Sequence, residues 1–168
     1  SDAAIEALLA QAGVLRAGSV EELFDLAMAF NGQPLPTGRR VAVVTNSGGP
    51  GILAADALSA QGMTVADLAP GTVERLRPLF PPEASLRNPL DMIASATPSG
   101  YRAAMDALLA DPGNDTVMAI FVPPLGVRQE DVAEAIVAAR TAQPGKPILA
   151  VLMGRQGLPQ GKAELHGV

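Results

Sequence analysis

A three-layer α/β fold with a doubly wound parallel sheet is the architecture this sequence predicts, on three observations. Val41–Val44, Thr116–Val122 and Pro147–Met153 hold apolar runs of strand length without polar alternation, as suits strands covered on both faces. Between them lie amphipathic helical patterns of about 10–13 residues, the spacing of βαβ crossovers. The 17 glycines and 15 prolines gather at the ends of these segments, where they act as turn punctuation and not as low complexity.

The elements follow in order. Asp2–Gln11 predicts a helix with Ile5, Leu8 and Leu9 on one stripe, ended by Gly13. Val14–Arg16 is a short extended piece. Ser19-Val20-Glu21-Glu22 is a capping box opening a second helix, with Leu23, Leu26, Ala27 and Phe30 as its inner face. Asn31–Gly38 is a linker by composition. After the Val41–Val44 strand a helix starts at Pro50 and ends at Gly62; Met63–Leu68 is the second strand candidate. Pro70–Leu79 is helical, with Thr72 as cap and Leu76 and Leu79 turned inward; Pro81-Pro82 stops it. Asn88–Ile93 is extended, because residues before proline avoid the helical region. Tyr101–Leu109 is a helix capped by Ser99, and Asp111–Asp115 is a turn. Glu130–Thr141 is a helix with Val132, Ile136 and Val137 inside, and Lys162–Leu165 begins another. Right-handed crossovers between these strands give a flavodoxin-like sheet. Residues 1–38 are expected to be a helical appendage and linker, and residues 39–168 the α/β domain, lacking a last strand and so truncated at its C-terminus.

Ligands of such sheets bind beyond the carboxyl ends of the strands. Asn46–Gly51, Asn88–Met92, Pro123-Pro124 and Met153-Gly154 are all expected on that rim. The sharpest of them is strand, glycine turn and helix start: Thr45-Asn46-Ser47-Gly48-Gly49-Pro50-Gly51. With Pro50 as the first helical residue, the amides of Gly51, Ile52 and Leu53 would face outward without acceptors, at the positive end of the helix dipole. Asn46, Ser47, Gly48, Gly49, Gly51 and Ile52 are therefore the candidate phosphate-binding residues, and Asn88, Asp91 and Pro123 the rim around them. A tight βα turn that binds nothing is the competing reading. No Gly-Lys-Ser/Thr follows, the glycines are not spaced Gly-x-Gly-x-x-Gly, and Thr45 stands where a nucleophile elbow needs glycine. Asp91 suits an Asx-type turn better than catalysis. Asn88 is open between bonding the loop and starting an Asn-Pro turn, and Glu83 reads as exposed.

Composition excludes other classes. A net charge of −5 and 3% aromatic residues with no tryptophan argue against a nucleic-acid surface. The sequence holds no apolar run of membrane-spanning length. Cysteine is absent, which removes thiolate chemistry and fits a cytoplasmic setting. No His/Cys/carboxylate cluster has metal-ligand spacing, and no catalytic residue can be named.

The stretch from Val41 to Asp56, with Asn88-Pro89-Leu90-Asp91-Met92 and Phe121-Val122-Pro123-Pro124 following in order, resembles the succinyl-CoA-ligase-like flavodoxin domain of NDP-forming acyl-CoA synthetases, of which the ADP-forming acetate–CoA ligases are the best known. The resemblance runs from about Ala12 to the end. It implies a domain, inactive alone, of an enzyme joining a carboxylic acid to CoA at the expense of a nucleoside triphosphate, through an acyl phosphate and a phosphohistidine. This domain would supply a helix N-terminus to the phosphoryl group. CoA, ATP/ADP and Mg are implied for the whole enzyme and none for this part. The implied partners are a CoA-binding, phosphohistidine-bearing domain and an ATP-grasp domain, in cis or as another subunit. The family's histidine lies in a neighbouring domain, so His166, the only histidine here, is expected to be a solvated helix-end residue. Similar domains also occur fused to lysine acetyltransferases, where they look regulatory, and a ligand-free docking module is a third possibility.

Overall fold

The computed structural model describes residues 2–154. Four parallel strands form one sheet in the order β2-β1-β3-β4, where β1 is Val41–Thr45, β2 Leu90–Asp91, β3 Thr116–Phe121 and β4 Ile148–Leu152. In register, Val43 stands opposite Met118, and Met118 opposite Leu149. Helices are α1 Asp2–Gln11, α2 Val20–Gly32, α3 Gly48–Ala60, α4 Pro70–Leu76 with a 3-10 turn through Leu79, α5 Pro98–Leu109 and α6 Gln129–Ala142.

Alternation along β1 separates two layers of packing. Ala42 and Val44 join the main core with Leu76, Tyr101, Met105, Leu108 and Ile136, under α4, α5 and α6. Val41 and Val43 face the other way, against Ile120 and the Ala54–Leu58 side of α3. The sheet is thus covered on both faces, as the sequence predicts, but unevenly. The α3 face of β4 is open, leaving Leu149 and Val151 exposed in a strand expected to be buried.

Several expectations are corrected. Met63–Leu68 is not a strand: it makes one parallel bridge, Arg40 to Thr64, because the Asn88 carboxamide occupies the space between it and β1. Its amide donates to Val41 O and Ala66 O, and its oxygen accepts from Val43 N–H, each at 2.8 Å. The second strand is instead Leu90–Asp91, just after the Asn-Pro step. Thr97, not Ser99, caps α5 by accepting from Gly100 N–H, and Ala69, not Thr72, precedes α4. Leu79 is exposed. The helices of residues 1–38 form as predicted, and Ser19 accepts from Glu22 N–H, but α1 and α2 bury no residue. Leu23 and Phe30 are exposed, since no other element packs on that face among the described residues. Val14–Arg16 joins no strand. Lys162–Leu165 and His166 lie outside the described residues.

The amino ends of β1 and β3 are locked together electrostatically. Arg40 donates through Nε to Asp115 Oδ2 (3.0 Å) and through Nη2 to Oδ1 (2.7 Å), a bidentate fork. Arg40 N–H also donates to Oδ2, and the Thr37 hydroxyl to Oδ1. These hydrogen bonds, first the one from the Arg40 side chain, hold the Asp115 carboxyl below the usual carboxylate range. A carboxyl with a depressed folded-state pKa stabilises the fold above its unfolded value, and loses that contribution as pH falls. Asp115→Asn should therefore melt several degrees lower at pH 7, with the gap to the unsubstituted chain closing as pH drops below about 4. Thermal melts across pH check this; a gap that persists or widens in acid contradicts it.

Candidate functional site

The carboxyl ends of the strands carry the site, and its frame is the side chain of Asn46. That residue is buried one position past β1. Its Nδ2 donates to Val122 O at 2.8 Å, and its Oδ1 accepts from Val122 N–H at 2.9 Å. The carboxamide mimics one more rung of the β1–β3 ladder where the backbones diverge. Oδ1 also accepts from the Tyr101 hydroxyl at 3.1 Å, a group that reaches Ile120 O at 2.7 Å. Burial, the dominant effect, pushes the Tyr101 phenol above its ordinary pKa, so it stays a neutral donor. The ring stands edge-on to Phe121 with centroids 5.6 Å apart. Asn46 was expected to bind phosphate; its side chain is instead spent on the frame, which ties α5 and both loops to one point.

The turn beyond it is compact. The Thr45 hydroxyl donates to Ser47 O and accepts from Ser47 N–H. Helix α3 begins at Gly48, with Ser47 as N-cap, two residues before the expected start at Pro50. The two glycines take helical angles themselves, which places Pro50 third. That shifts the unsatisfied donors. The first four N–H positions, counted from the N-cap, lack helical acceptors; here they are Ser47, whose N–H is taken by the Thr45 hydroxyl, Gly48, Gly49 and Pro50, which has no N–H, while Gly51 makes the first helical bond, to Ser47 O at 3.4 Å. Ile52 and Leu53 stand beyond the first four, so their amides are not the open ones. The open groups are the amides of Gly48 and Gly49 and the Ser47 hydroxyl, which makes no capping bond.

The glycines serve different ends. A Cβ on Gly49 would meet nothing within 4 Å, whereas one on Gly51 would stand 3.0 Å from Thr45 Cγ2 and 3.4 Å from Pro89 Cβ. Gly51 is a packing residue. A Cβ on Gly48 would stand 3.0 Å from Asp91 Oδ2, which puts a carboxylate against one side of the helix end. The other oxygen, Oδ1, accepts from Ile93 N–H at 2.9 Å, the Asx-type contact expected. Ile93 sits at φ 57, a left-handed conformation costly for a β-branched residue, and this turn holds Asp91 in place. Asn88 does not touch the loop; it serves β1, and its peptide to Pro89 is cis. Pro123 is exposed directly after Val122. Exposed Ile52, Leu53 and Leu125 complete the rim. Sequence reasoning missed the Tyr101–Asn46 contact, whose only trace was an isolated tyrosine at a helix start.

Among the described residues no group of histidine, cysteine and carboxylate side chains is placed to hold a metal ion, and no helix is long and apolar enough to cross a membrane.

The model of the ligase-CoA domain matches residues 41–165, from β1 past the last described strand. The chain belongs to that family. Among its relatives, the alpha subunit of acetate–CoA ligase (ADP-forming) II of Pyrococcus furiosus is 44% identical over 151 residues, covering 88% of this chain and 33% of the relative. The 4-hydroxybutyrate–CoA ligase (ADP-forming) of Nitrosopumilus maritimus is 35% identical over 154 residues, covering 92% of this chain and 22% of the relative. Among solved structures, the dinucleotide-forming acetyl-coenzyme A synthetase 1 of Ca. Korarchaeum cryptofilum, in complex with phosphate and ADP, superposes with a TM-score of 0.85 at 30% identity over 92% of this chain and 33% of that one. A Pyrococcus horikoshii crystal structure superposes with a TM-score of 0.82 at 43% identity, covering 89% and 35%. This ligase-CoA domain chain thus spans about a third or less of the relatives it matches.

The Asn46 frame generates a stability prediction. Asn46→Ala leaves the half-buried Val122 N–H and C=O without their protein partner, which should cost about 1–3 kcal/mol. Chemical denaturation measures it, and a loss under about 0.5 kcal/mol would show the frame to be dispensable.

Proposed function

We propose that this chain is a domain of an ADP-forming acyl-CoA synthetase, and that the N-terminus of α3 receives a phosphoryl group carried on a histidine of another domain. The whole reaction would convert an acid, CoA and a nucleoside triphosphate to acyl-CoA, nucleoside diphosphate and phosphate. The observation that carries the reading is the contrast at the strand ends. Asn46, Thr45, Asn88 and Tyr101 have hydrogen-bonding partners inside the protein, whereas the Gly48 and Gly49 amides and the Ser47 hydroxyl, at a helix end, have no partner among the described residues. Such an end attracts an anion by about 0.3–1 kcal/mol when exposed, more when water is excluded. The relatives' names agree with this, and one neighbour was solved with phosphate and ADP. The role is electrostatic: amides fixed in advance meet charge without reorganising. Among the described residues no group is placed for covalent work, and the domain alone should be inactive. CoA, the nucleotide and its Mg would belong to the partner domains, in cis or as another subunit.

Two substitutions test the site. Gly49→Asp puts its side chain into open space, so folding should survive while the carboxylate claims the helix end. In the full-length enzyme, phosphorylation of the histidine should fall at least about 10-fold, or about 1.4 kcal/mol. Unchanged phosphorylation would sink the proposal. Asp91→Asn removes a like charge beside Gly48 and should tighten inorganic phosphate binding about 3–10-fold, followed through the Gly48 and Gly49 amide signals. Weaker binding would mean that Asp91 assists the anion instead of opposing it.

A further inference from the structure

A second feature lies at the outer edge of the sheet, beside β2. The chain leaves α4, makes the 3-10 turn and folds back, and between the two arms runs an open groove of about 280 Å³. Val73, Phe80 and Leu86 form its apolar wall, and all three pack against the main core, so the wall is fixed from beneath. Arg77 and Arg87 line the same groove. Arg77 belongs to the 3-10 turn. Arg87 directly precedes Asn88, whose side chain is anchored by three hydrogen bonds to β1 and Ala66.

Several arginines elsewhere find oxygens, Arg40 on Asp115, Arg102 on Asp106, Arg75 on Gly71 O and Thr72, whereas exposed Arg39 has no acceptor among the described residues and does not line this groove. Arg77 and Arg87 have no acceptor among the described residues. Glu83, in the same loop, is exposed and is not part of the lining. The lining includes two guanidinium groups and no carboxylate, with Glu74 and Glu83 exposed beside it and ion-paired to neither arginine, so the groove favours an anion. Their planar forks match a carboxylate or phosphate, and Arg is the side chain least easily discharged.

We propose that this groove binds a small organic anion, with its carboxylate or phosphate group between Arg77 and Arg87 and its hydrocarbon body on Val73, Phe80 and Leu86. The charge alone attracts any anion. The apolar wall adds about 25 cal/mol per Å² of surface it covers, so an anion with a hydrocarbon body outcompetes an inorganic one. The groove is separate from the α3 helix end and does not depend on its reading. The two are nonetheless connected: Ser85, between lining residues Ala84 and Leu86, pairs with Asp91 through both backbone bonds, at 2.9 and 3.0 Å. A ligand that stiffens this loop also stiffens the carboxylate beside Gly48.

The test is a titration of the isotope-labelled chain, read by amide NMR, with benzoate, phenyl phosphate, inorganic phosphate and benzyl alcohol. Benzoate or phenyl phosphate should give saturable shifts centred on residues 73–87 with Kd near about 1 mM, and whichever binds tighter names the head group. Inorganic phosphate and benzyl alcohol should each bind about 10-fold more weakly. The double variant Arg77→Gln, Arg87→Gln alters exposed side chains only; it should melt with the unsubstituted chain and lose at least about 10-fold in affinity for the aryl anion. Equal affinity in that variant, equal affinity for benzyl alcohol, or shifts that fail to saturate or centre elsewhere would each overturn the proposal.

Discussion

The carboxamide of Asn46 sets the geometry at the carboxyl end of the sheet. It is buried, it satisfies both backbone groups of Val122, and it receives the Tyr101 hydroxyl. A buried polar group must be matched in full or it costs stability. This one is matched, so the loops after β1 and β3 and the start of α5 are held at one point. The turn into α3 then begins from a fixed position, and its first amides face a defined direction. Preorganisation of this kind is what an electrostatic site needs.

The same device recurs at the sheet's edges. Asn88 bonds the free side of β1, where β2 is only two residues long. Gln33 spans Ile148 on the outer edge of β4, donating to its oxygen and accepting from its N–H. In each case a side-chain amide takes the place of a missing strand and satisfies backbone groups that an open edge would leave exposed. The opposite end of the sheet is closed by charge, through Arg40 and Asp115. Against this background the amides of Gly48 and Gly49 stand out as open among the described residues, and Arg77 and Arg87 as cations lining a groove without an acceptor there.

Much of the fold was readable before any coordinates. Strands β1, β3 and β4 are apolar runs, and α5 and α6 repeat at helical spacing; local pattern suffices because each must bury one face or two. The errors share a cause. Met63–Leu68 has strand composition but no free partner, since Asn88 takes the edge it would use. Leu23 and Phe30 have the spacing of a core face, yet nothing among the described residues covers them. Periodicity reports which residues would gain from burial; it does not report whether a surface is there to bury them.

The site divides along the same line. Sequence alone determined that a glycine turn follows the first strand, that a helix begins there, and that Asp91 and Pro123 lie at or just past strand ends, because turn chemistry and the parallel topology are local or generic properties; Asn88, expected beside them, bonds the first half of β1 instead. Tertiary structure decided which groups remain available. Asn46 is consumed by Val122 and Tyr101, Gly51 by contact with Thr45 and Pro89, and the helix starts two residues early, so the open amides belong to Gly48 and Gly49. Hydrogen-bond satisfaction is settled by neighbours far apart in the chain, Asn46 and Val122 being 76 residues apart, and no local pattern encodes those distances.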